Sequence, residues 1–297
     1  MTKLFEGAGV ALVTPFQADN TIDFEALKAL VNFQIEGGID YIVALGTTAE
    51  TPTLSDEEKD QVVNCIKKEV NGRVPIMLGL GGNNPTAVID SIHKTDFTGI
   101  DGILSVTPFY NKPQQSGLVA YYKAVAEASP VPVILYNVPG RTGVNLSADS
   151  AVELGTSCKN IIAIKEASGD LNQVSEIVRD TPDNFTVISG DDALTLPILS
   201  VGASGVISVI ANVFPKEMAR MVQLAKEQKL KEAIELHVKM LQLSRLIFKE
   251  GSPAGVKALM NLMGLSSTTC RLPLVEASAE LTKELSIELD ILKGQLQ

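Results

Sequence analysis

Eight short apolar runs, each followed by a segment with helical periodicity, limit most strongly what this chain can fold into. The runs are rich in valine and isoleucine, and each is followed by a Gly, Pro, Asn or Ser that marks a turn. They recur every 20 to 35 residues or so, roughly the length of one strand, one helix and two loops. Eight such units predict an α/β fold, a (β/α)₈ TIM barrel. The runs are VALVT from Val10, YIVALG from Tyr41, PIMLGLG from Pro75, GILSVT from Gly102, PVILYN from Pro132, IIAIK from Ile161, FTVISG from Phe185 and GVISVI from Gly205.

An open, doubly wound sheet is the alternative arrangement of such units. It would normally carry a dinucleotide-binding loop after its first strand, and VTPFQADNTIDF does not have that pattern. Helix boundaries between the runs are clear, as in SDEEKDQVVNCIKKEVNG, where Ser55 is a good N-cap and Gly72 a good stop. The barrel is therefore preferred.

The pattern of strands stops at about residue 228. Three helical segments follow: KLKEAIELHVKMLQLSRLIFKE, PAGVKALMNLMG and EASAELTKELSIELDILKG. No low-complexity linker precedes them. We predict a barrel over residues 1–228 and a C-terminal helical domain over residues 229–297.

Charge and hydropathy exclude several classes of partner. The chain has 35 acidic and 25 basic residues, a formal net charge of −10, which is the wrong sign for binding nucleic acid. No stretch approaches the roughly 20 uninterrupted apolar residues of a membrane span. We expect no nucleic acid and no membrane partner, a small-molecule substrate and a cytoplasmic location.

Cysteine and histidine are too scarce for most metal chemistry. Cys65, Cys158 and Cys270 are far apart and form no CxxC pair, so we expect reduced and mostly buried thiols. His93 and His237 both lie in segments with helical periodicity rather than at strand ends. The sequence predicts neither a metal site nor a histidine base.

Polar residues cluster where the predicted strands end. In a TIM barrel the active site lies at the carboxyl ends of the strands, so these residues are the candidates for catalysis and binding. They are Thr47 and Thr48 in GTTAE, Tyr110 in TPFYNKP, Tyr136 and Arg141 in YNVPGRTG, Lys165 at the end of IIAIK, and Ser189 and Gly190 in SGDD.

Lys165 ends the sixth run, and its chemistry depends on which way it points. It shares strand parity with Ile161 and Ala163, so it enters the barrel if they do. Burial can depress a lysine pKa by up to about 3 to 5 units, which frees an amine to form a Schiff base with a carbonyl. The alternative is a lysine that reaches the surface and pairs with a neighbour. Glu166 has the opposite parity, and we do not expect it to be the catalytic base.

The other candidates suit proton transfer and carboxylate binding. Tyr136, Tyr110 and Thr47 offer hydroxyls that can pass protons without a histidine, although each alone is also compatible with packing or capping. Arg141 is suited to bidentate capture of a carboxylate, although a surface arginine is the usual case. Backbone N–H groups of the GTT turn can hold a second carboxylate.

Over essentially its whole length the chain resembles the pyruvate-dependent class I aldolases and synthases. That family is typified by 4-hydroxy-tetrahydrodipicolinate synthase (dihydrodipicolinate synthase), and N-acetylneuraminate lyase is a relative. The motifs that carry the resemblance are GTTAE, TPFYNKP, YNVPGRTG, IAIKEASGD, SGDD and GVISV, in this order and at the expected strand ends. The arginine of YNVPGRTG resembles the synthase subgroup, because the neuraminate lyases usually lack it.

The resemblance implies a condensation of pyruvate with L-aspartate 4-semialdehyde, on the diaminopimelate route to lysine, without a cofactor. Lys165 would form an imine with pyruvate, which becomes an enamine and attacks the aldehyde. The family pattern implies roles for seven further residues. Tyr136, Thr47 and Tyr110 would relay protons, Thr48 would bind the pyruvate carboxylate and Arg141 that of the semialdehyde, and Gly190 and the carbonyl of Ile207 would lie at the substrate site.

The family also implies an assembly. A homotetramer built as a dimer of dimers is expected, although the sequence does not separate a dimer from a tetramer. Tyr110 would reach into a neighbouring subunit's site.

Two departures from the family pattern have consequences. Ala49 stands where the family usually has glycine; if that position requires a positive φ, alanine would cost on the order of 1 kcal/mol. Lysine-inhibited bacterial members carry His, Glu and Tyr in the allosteric cleft, where this chain has Asp56, Ala87 and Phe109, although Asn83 is retained. We predict weak or absent feedback inhibition by lysine.

Two other functions are compatible with this pattern. One is a different pyruvate-dependent aldolase, such as an N-acetylneuraminate or 2-keto-3-deoxy-sugar lyase, and Arg141 argues against it. The other is a ligand sensor without turnover. The complete set of Lys165, Tyr136, Tyr110 and Thr47 argues against that one.

Overall fold

The computed structural model describes residues 4–296, and it has the architecture that the sequence predicts. Eight parallel strands follow one another in chain order around a closed barrel. They are β1 (Gly7–Ala11), β2 (Tyr41–Ala44), β3 (Ile76–Gly79), β4 (Gly102–Val106), β5 (Val133–Asn137), β6 (Ile161–Glu166), β7 (Thr186–Ser189) and β8 (Gly205–Ser208).

Helices connect the strands and continue after the last one. Those between strands are α1 (Phe24–Glu36), α2 (Asp56–Val70), α3 (Pro85–Lys94), α4 (Gln115–Ala128), α5 (Pro139–Thr142), α6 (Ala148–Ser157), α7 (Leu171–Asp180) and α8 (Thr195–Ser200). Those after β8 are α9 (Pro215–Lys226), α10 (Leu230–Leu246), α11 (Ala254–Leu262) and α12 (Ala279–Leu296). The last three correspond to the three helical segments that the sequence predicts.

Within the described residues the chain divides into two compact units. One comprises Pro75–Ile207 with the chain up to Glu6, and it contains β3 to β8. The other comprises Gly7–Val74 and Ser208–Gln297, so β1 and β2 group with the C-terminal helices. The division near residue 228 that the sequence suggests stays a prediction.

The first strand begins three residues earlier than the sequence predicts. Its first residues are small because the neighbouring strand fills the space beside them. A Cβ on Gly9 would overlap the ring of Tyr41, and one on Gly7 would overlap the carboxylate of Asp40. The same Asp40 carboxylate accepts a hydrogen bond of 2.7 Å from the N–H of Ala8. The pattern GAGVA is therefore a strand selected for close packing, which a search for valine and isoleucine misses.

The predicted N-cap of α2 is confirmed. The Ser55 hydroxyl accepts from the N–H of Glu58 at 3.1 Å, and the Glu58 carboxylate accepts from the N–H of Ser55 at 2.9 Å, which completes a capping box. At the other end Asn71, rather than Gly72, is the left-handed cap residue, and Gly72 follows with a φ of 71°.

Two predictions based on composition can be compared with residues 4–296. No helix in this range is long and apolar enough to cross a membrane. Cys65, Cys158 and Cys270 are free thiols, but each is half-buried rather than buried as predicted: Cys65 lies within α2, Cys158 follows the end of α6, and Cys270 lies between α11 and α12.

Candidate active site

Tyr136 and Lys165 lie side by side at the carboxyl ends of β5 and β6. They are register partners in the parallel ladder, and the Lys165 Nζ lies 4.4 Å from the centroid of the Tyr136 ring. Both side chains are almost fully buried, at 7% and 5% exposed. An amine and a phenol ring are thus in contact inside the protein. Covalent catalysis by an amine needs both a nucleophile and a group that transfers protons, and these two side chains can supply them.

The sequence predicts that Lys165 lies on the same side of β6 as Ile161 and Ala163. This prediction is right for Ala163 and wrong for Ile161. The β5–β6 register is irregular between Val133 and Ile134, which pair with Ile161 and Ala163, so Ile162 is an extra residue in β6. From Ala163 onward, successive side chains of β6 point alternately to the two faces of the sheet. Ile161 and Ile164 both belong to the apolar cluster that β4 to β7 form with the surrounding helices. Lys165 therefore lies on the opposite side, towards the barrel interior.

The Lys165 amine has no ion-pair partner among residues 4–296. Nζ lies against the Tyr136 ring, and no carboxylate oxygen of the described residues lies within 4.0 Å of it. The other buried lysine, Lys257, is different: its Nζ lies 2.5 Å from a carboxylate oxygen of Glu50. Lys165 is thus not a lysine that reaches the surface to pair with an acid, which was the alternative to a reactive amine.

Gly190, directly after β7, makes room for the lysine. Its N–H donates to the carbonyl of Glu166 at 2.8 Å, which brings the two backbones close together. A Cβ at this position would lie 2.8 Å from the Cβ of Ala167 and 3.1 Å from the Cε of Lys165. The absence of a side chain is therefore required for the observed position of the lysine.

Glu166 faces away from Lys165, as its parity predicts. Its carboxylate is 1% exposed and accepts from the N–H of Ser168 at 2.6 Å, the amide of Gln173 at 2.9 Å and the amide of Asn137 at 3.0 Å. Asn137 is the register partner of Glu166. A polar network thus lies behind the Tyr136–Lys165 pair. Neither Asn137 nor Gln173 is predicted from the sequence, in which a polar residue at the end of an apolar strand is a weak signal.

Arg141 and Tyr110 both lie at the surface of the chain. Arg141 is on the short helix α5, which begins with Pro139 after β5. Tyr110, in the loop after β4, is 87% exposed and has a φ of 78°. Its N–H donates to the carbonyl of Thr142 at 3.4 Å, so the loop after β4 contacts the end of α5 through the backbone. The Tyr110 ring is not packed against its own chain.

The GTTAE turn lies in the other compact unit, at the end of β2. Thr47 to Ala49 form a 3₁₀ turn, η1 (Thr47–Ala49), in which Thr47 is exposed and Thr48 is buried. The hydroxyl of Thr14 donates to the carbonyl of Ala49 at 2.8 Å. The N–H groups at the start of such a turn have no partner within it and are available to an anion.

The expected problem at Ala49 does not arise. The left-handed residues of this segment are Leu45, with a φ of 53°, and Glu50, with a φ of 55°, while Ala49 is a regular member of the 3₁₀ turn. Alanine is therefore accommodated without backbone strain, and the strained position is the next one.

The remaining candidates lie where the sequence places them. Ile207 is buried in β8, near its carboxyl end. Asp191 caps η3 (Asp192–Leu194) by accepting from the N–H groups of Ala193 and Leu194. Within residues 4–296, His, Cys, Asp and Glu side chains form no cluster of three or more that could hold a metal ion.

Comparison with known proteins gives consistent relationships over more than nine-tenths of the chain. The 4-hydroxy-tetrahydrodipicolinate synthase of Phocaeicola vulgatus is 51% identical over 270 residues, which is 91% of each chain. A crystal structure of dihydrodipicolinate synthase from Thermotoga maritima is 37% identical with a TM-score of 0.95, over 98% of this chain and 99% of that one. A monomeric dihydrodipicolinate synthase variant is 37% identical with a TM-score of 0.95, over 97% of each chain.

A family model gives the same assignment. It matches residues 4–292, which include every candidate residue described above, and its description is the dihydrodipicolinate synthetase family. The overlap of this match with the closed barrel and with the lysine and tyrosine at the ends of β5 and β6 leaves one conclusion: the chain belongs to the dihydrodipicolinate synthetase family.

Proposed function

We propose that the chain is a 4-hydroxy-tetrahydrodipicolinate synthase that condenses pyruvate with L-aspartate 4-semialdehyde through a Schiff base on Lys165. It is a carbon–carbon bond-forming lyase, and its product is an intermediate of diaminopimelate and lysine biosynthesis. The observation that carries the proposal is the buried Lys165 amine, free of any ion pair in the described residues and in contact with the Tyr136 ring. Membership of the family supports the choice of substrates.

The first half of the reaction joins pyruvate to Lys165. The amine attacks the ketone carbon of pyruvate, a C–N bond forms, and the oxygen leaves as water after two protons have been supplied to it. The Tyr136 ring lies against Nζ, and with Thr47 and Tyr110 its phenol forms the proposed relay. The pyruvate carboxylate binds at Thr48 and the free N–H groups of the η1 turn. Gly190 and the Ile207 carbonyl line the site around the imine.

The second half forms the carbon–carbon bond. Loss of a proton from the methyl group of the imine gives an enamine, whose terminal carbon attacks the aldehyde of the semialdehyde. The aldehyde oxygen takes up a proton from the relay. The amino group of the semialdehyde then attacks the imine carbon, which closes the ring, breaks the C–N bond to Lys165 and frees the lysine amine. Arg141 binds the second carboxylate, for which an exposed, charged guanidinium on the short helix after β5 is suited. No step requires a cofactor.

Trapping with borohydride tests the mechanism. Incubation of the chain with pyruvate and borohydride should reduce the imine to a stable adduct, which peptide mass spectrometry should locate on Lys165. Lys165→Met should abolish the adduct and lower kcat/KM at least about a thousandfold, because a nucleophile of a covalent mechanism is removed. The exposed Lys159→Met is the matched control and should behave as wild type. Adduct formation elsewhere, or none, would refute the mechanism.

The aldehyde separates this function from that of a related lyase. We expect the chain to consume L-aspartate 4-semialdehyde and to ignore N-acetylmannosamine. Adduct formation with turnover of N-acetylmannosamine alone would select the sugar-lyase function instead. A pyruvate adduct without turnover of any aldehyde would select a sensor.

A homo-oligomer in which Tyr110 completes a neighbouring site is part of the proposal, with a dimer of dimers as its expected form. The 87% exposed ring on a left-handed backbone supports it, because no contact within residues 4–296 buries that ring. Mixing inactive Tyr110→Phe subunits with inactive Lys165→Met subunits should restore activity in the hybrid. No recovery in a mixed oligomer would contradict a shared site.

A location in the cytoplasm follows from the proposed pathway. Pyruvate and amino-acid precursors are cytoplasmic metabolites, and the net charge of −10 is compatible with that compartment. Fractionation of cells that express the tagged chain would test this.

A further inference from the structure

A buried ion pair joins the GTTAE turn to the C-terminal helices. Lys257 of α11 is fully buried, and its Nζ lies 2.5 Å from Oε1 of Glu50, which is 2% exposed. The same amine donates to the carbonyl of Thr269 at 2.8 Å and lies 4.3 Å from the centroid of the Phe16 ring. Burial lowers the pKa of the Lys257 amine, and the charge of Glu50 opposes this. Two charges have thus been removed from water, although such a pair contributes little net stability by itself.

The second carboxylate oxygen of Glu50 is held as firmly as the first. Oε2 accepts from the N–H of Arg271 at 2.8 Å. The Arg271 guanidinium in turn forms two hydrogen bonds with the Glu58 carboxylate and donates to the carbonyl of Thr53 at 3.0 Å. The Glu50 side chain therefore has a single position available to it, fixed by two segments that lie more than 200 residues further along the chain.

Glu50 is also the strained residue of the turn. It is left-handed, with φ 55° and ψ 33°, and its N–H donates to the carbonyl of Thr47 at 3.2 Å. Its own carbonyl accepts from the N–H and the hydroxyl of Thr53, both at 2.9 Å. A non-glycine residue keeps such a conformation only where its surroundings impose it. Glu50 is the residue that ends the η1 turn, which contains Thr47 and Thr48. The contacts that fix its side chain therefore also fix the backbone conformation at the end of that turn.

We propose that Lys257 is a positioning residue of the active site, which holds Glu50, and through it the η1 turn, in the conformation that binds the pyruvate carboxylate. Lys257 touches neither substrate nor the reacting atoms. This inference rests on the proposed function, since it assigns the ligand of the turn. It also explains why a paired charge, rather than an apolar contact, lies at this point: only a directional bond fixes the orientation of the Glu50 side chain.

The test is a double variant, Glu50→Gln with Lys257→Met, which removes both charges and leaves no buried ion unpaired. We expect the KM for pyruvate to rise about tenfold or more with a smaller change in kcat, because the turn is displaced while the reacting groups remain. The pyruvate concentration that half-saturates borohydride trapping should rise in parallel. The matched control is Lys249→Met with Glu284→Gln, an exposed pair between the segment after α10 and α12, which should change neither value.

A second variant keeps the test decisive if the double variant does not fold. Glu50→Asp retains the charge but is one methylene shorter, so it cannot reach both Lys257 and the Arg271 N–H without moving the turn. A raised KM for pyruvate in this variant supports the proposal. An unchanged KM in a folded variant of either kind overturns it and leaves the pair a purely structural one. Absence of a borohydride-trapped adduct on Lys165 in the wild-type protein would count against the proposed function. A wild-type adduct together with an unchanged KM in the variants would count against this inference alone.

Discussion

Tyr136 and Lys165 are register partners on adjacent parallel strands, and the Lys165 Nζ lies 4.4 Å from the Tyr136 ring centroid. The next pair along the same ladder, Asn137 and Glu166, points to the other side of the sheet and is buried in a polar network. One face of the β5–β6 ladder therefore holds the proposed catalytic residues, and the polar network on the other face stabilises the two strands.

The phenol of Tyr136 should be needed for proton transfer and not for imine formation alone. Tyr136→Phe removes one hydroxyl and keeps the ring that lies against Lys165. We expect kcat to fall by about 10² to 10³, within the range of general acid–base catalysis, while borohydride still traps some adduct on Lys165. Steady-state kinetics and mass spectrometry measure the two effects.

Tyr122→Phe is the matched control for that experiment. Tyr122 is fully buried, burial raises the pKa of its phenol well above the usual value, and its hydroxyl donates to the carbonyl of Ser105 at 3.1 Å. Its loss should lower the free energy of unfolding by about 0.5 to 1.5 kcal/mol and leave kcat unchanged. Equal losses of kcat in both variants would contradict a specific role for Tyr136.

Gly190→Ala should displace Lys165 without changing its chemistry. The added Cβ would lie 2.8 Å from the Cβ of Ala167 and 3.1 Å from the Cε of Lys165, which forces the lysine or β7 to move. Because a displacement on the order of 1 Å can cost about a hundredfold in rate, we expect kcat/KM to fall by about 10- to 100-fold. The rate of adduct trapping should fall with it.

Gly294→Ala in α12 is a suitable control for the added methyl group. A Cβ there meets nothing within 4 Å, and alanine favours a helix over glycine by up to about 1 kcal/mol. Activity should be unchanged and stability equal or slightly higher. Wild-type kinetics for Gly190→Ala would show that the lysine does not need the space that the glycine leaves.

Glu166 is predicted to be structural. All the described groups that contact its carboxylate are N–H donors, so Glu166→Gln would place an amide NH₂ against other donors. We expect a loss of about 1 to 3 kcal/mol in the free energy of unfolding, the cost of unsatisfied buried polar groups. The pH dependence of kcat should keep its form. Loss of one limb of that pH profile would instead identify Glu166 as a base.

The sequence predicts most of the candidate residues at the strand ends and few of the contacts that fix their positions. Lys165, Tyr136 and Gly190 follow from runs of valine and isoleucine, because a barrel places every strand end on one face. The orientation of Lys165 was obtained with a wrong reference residue, Ile161, since the bulge at Ile162 has no sequence signal. Short-range sequence patterns indicate to which face of a strand a side chain points, but they do not reveal irregularities in the pairing of that strand with its neighbour.

The supporting contacts could not be predicted from local patterns. Glu50 and Lys257 are 207 residues apart, and each lies in a segment whose periodicity says nothing about its partner. The early start of β1 was missed for a similar reason: its glycines are explained by the ring of Tyr41 and the carboxylate of Asp40, which belong to the neighbouring chain segment. Long-range pairing becomes visible only once the fold is known.

Feedback inhibition by L-lysine should be weak or absent. Asn83 is retained, and its amide donates to the carbonyl of Phe109 at 3.3 Å, while the Phe109 side chain is 40% exposed and offers no hydroxyl. Ala87, on α3, offers no polar atom of its side chain, and Asp56 forms an exposed ion pair with Lys59 at 2.9 Å. Too few groups remain to bind both the amine and the carboxylate of a lysine. Inhibition of initial rates at submillimolar L-lysine would contradict this prediction.

The Arg271–Glu58 contact should make stability depend on pH in the acid range. Two hydrogen bonds of 2.6 and 2.8 Å from Arg271 lower the pKa of the Glu58 carboxyl from 4.5 to about 2. A folded-state pKa below the unfolded value means that the ionised carboxylate stabilises the fold. This contribution is fully present above the unfolded pKa of 4.5 and is lost as the pH falls through about 2.

Glu58→Gln should therefore be less stable than wild type at neutral pH and equally stable in strong acid. After discounting for partial solvent exposure, we expect a difference of about 1 to 2 kcal/mol in the free energy of unfolding at pH 7. The difference should shrink steadily between about pH 4.5 and pH 2. Urea unfolding at several pH values measures it. Glu284→Gln, which breaks the more exposed Lys249 pair, is the control and should show a smaller difference throughout. A gap between wild type and Glu58→Gln that persists at pH 2 would show that the lost contribution is not that of the ionised carboxylate.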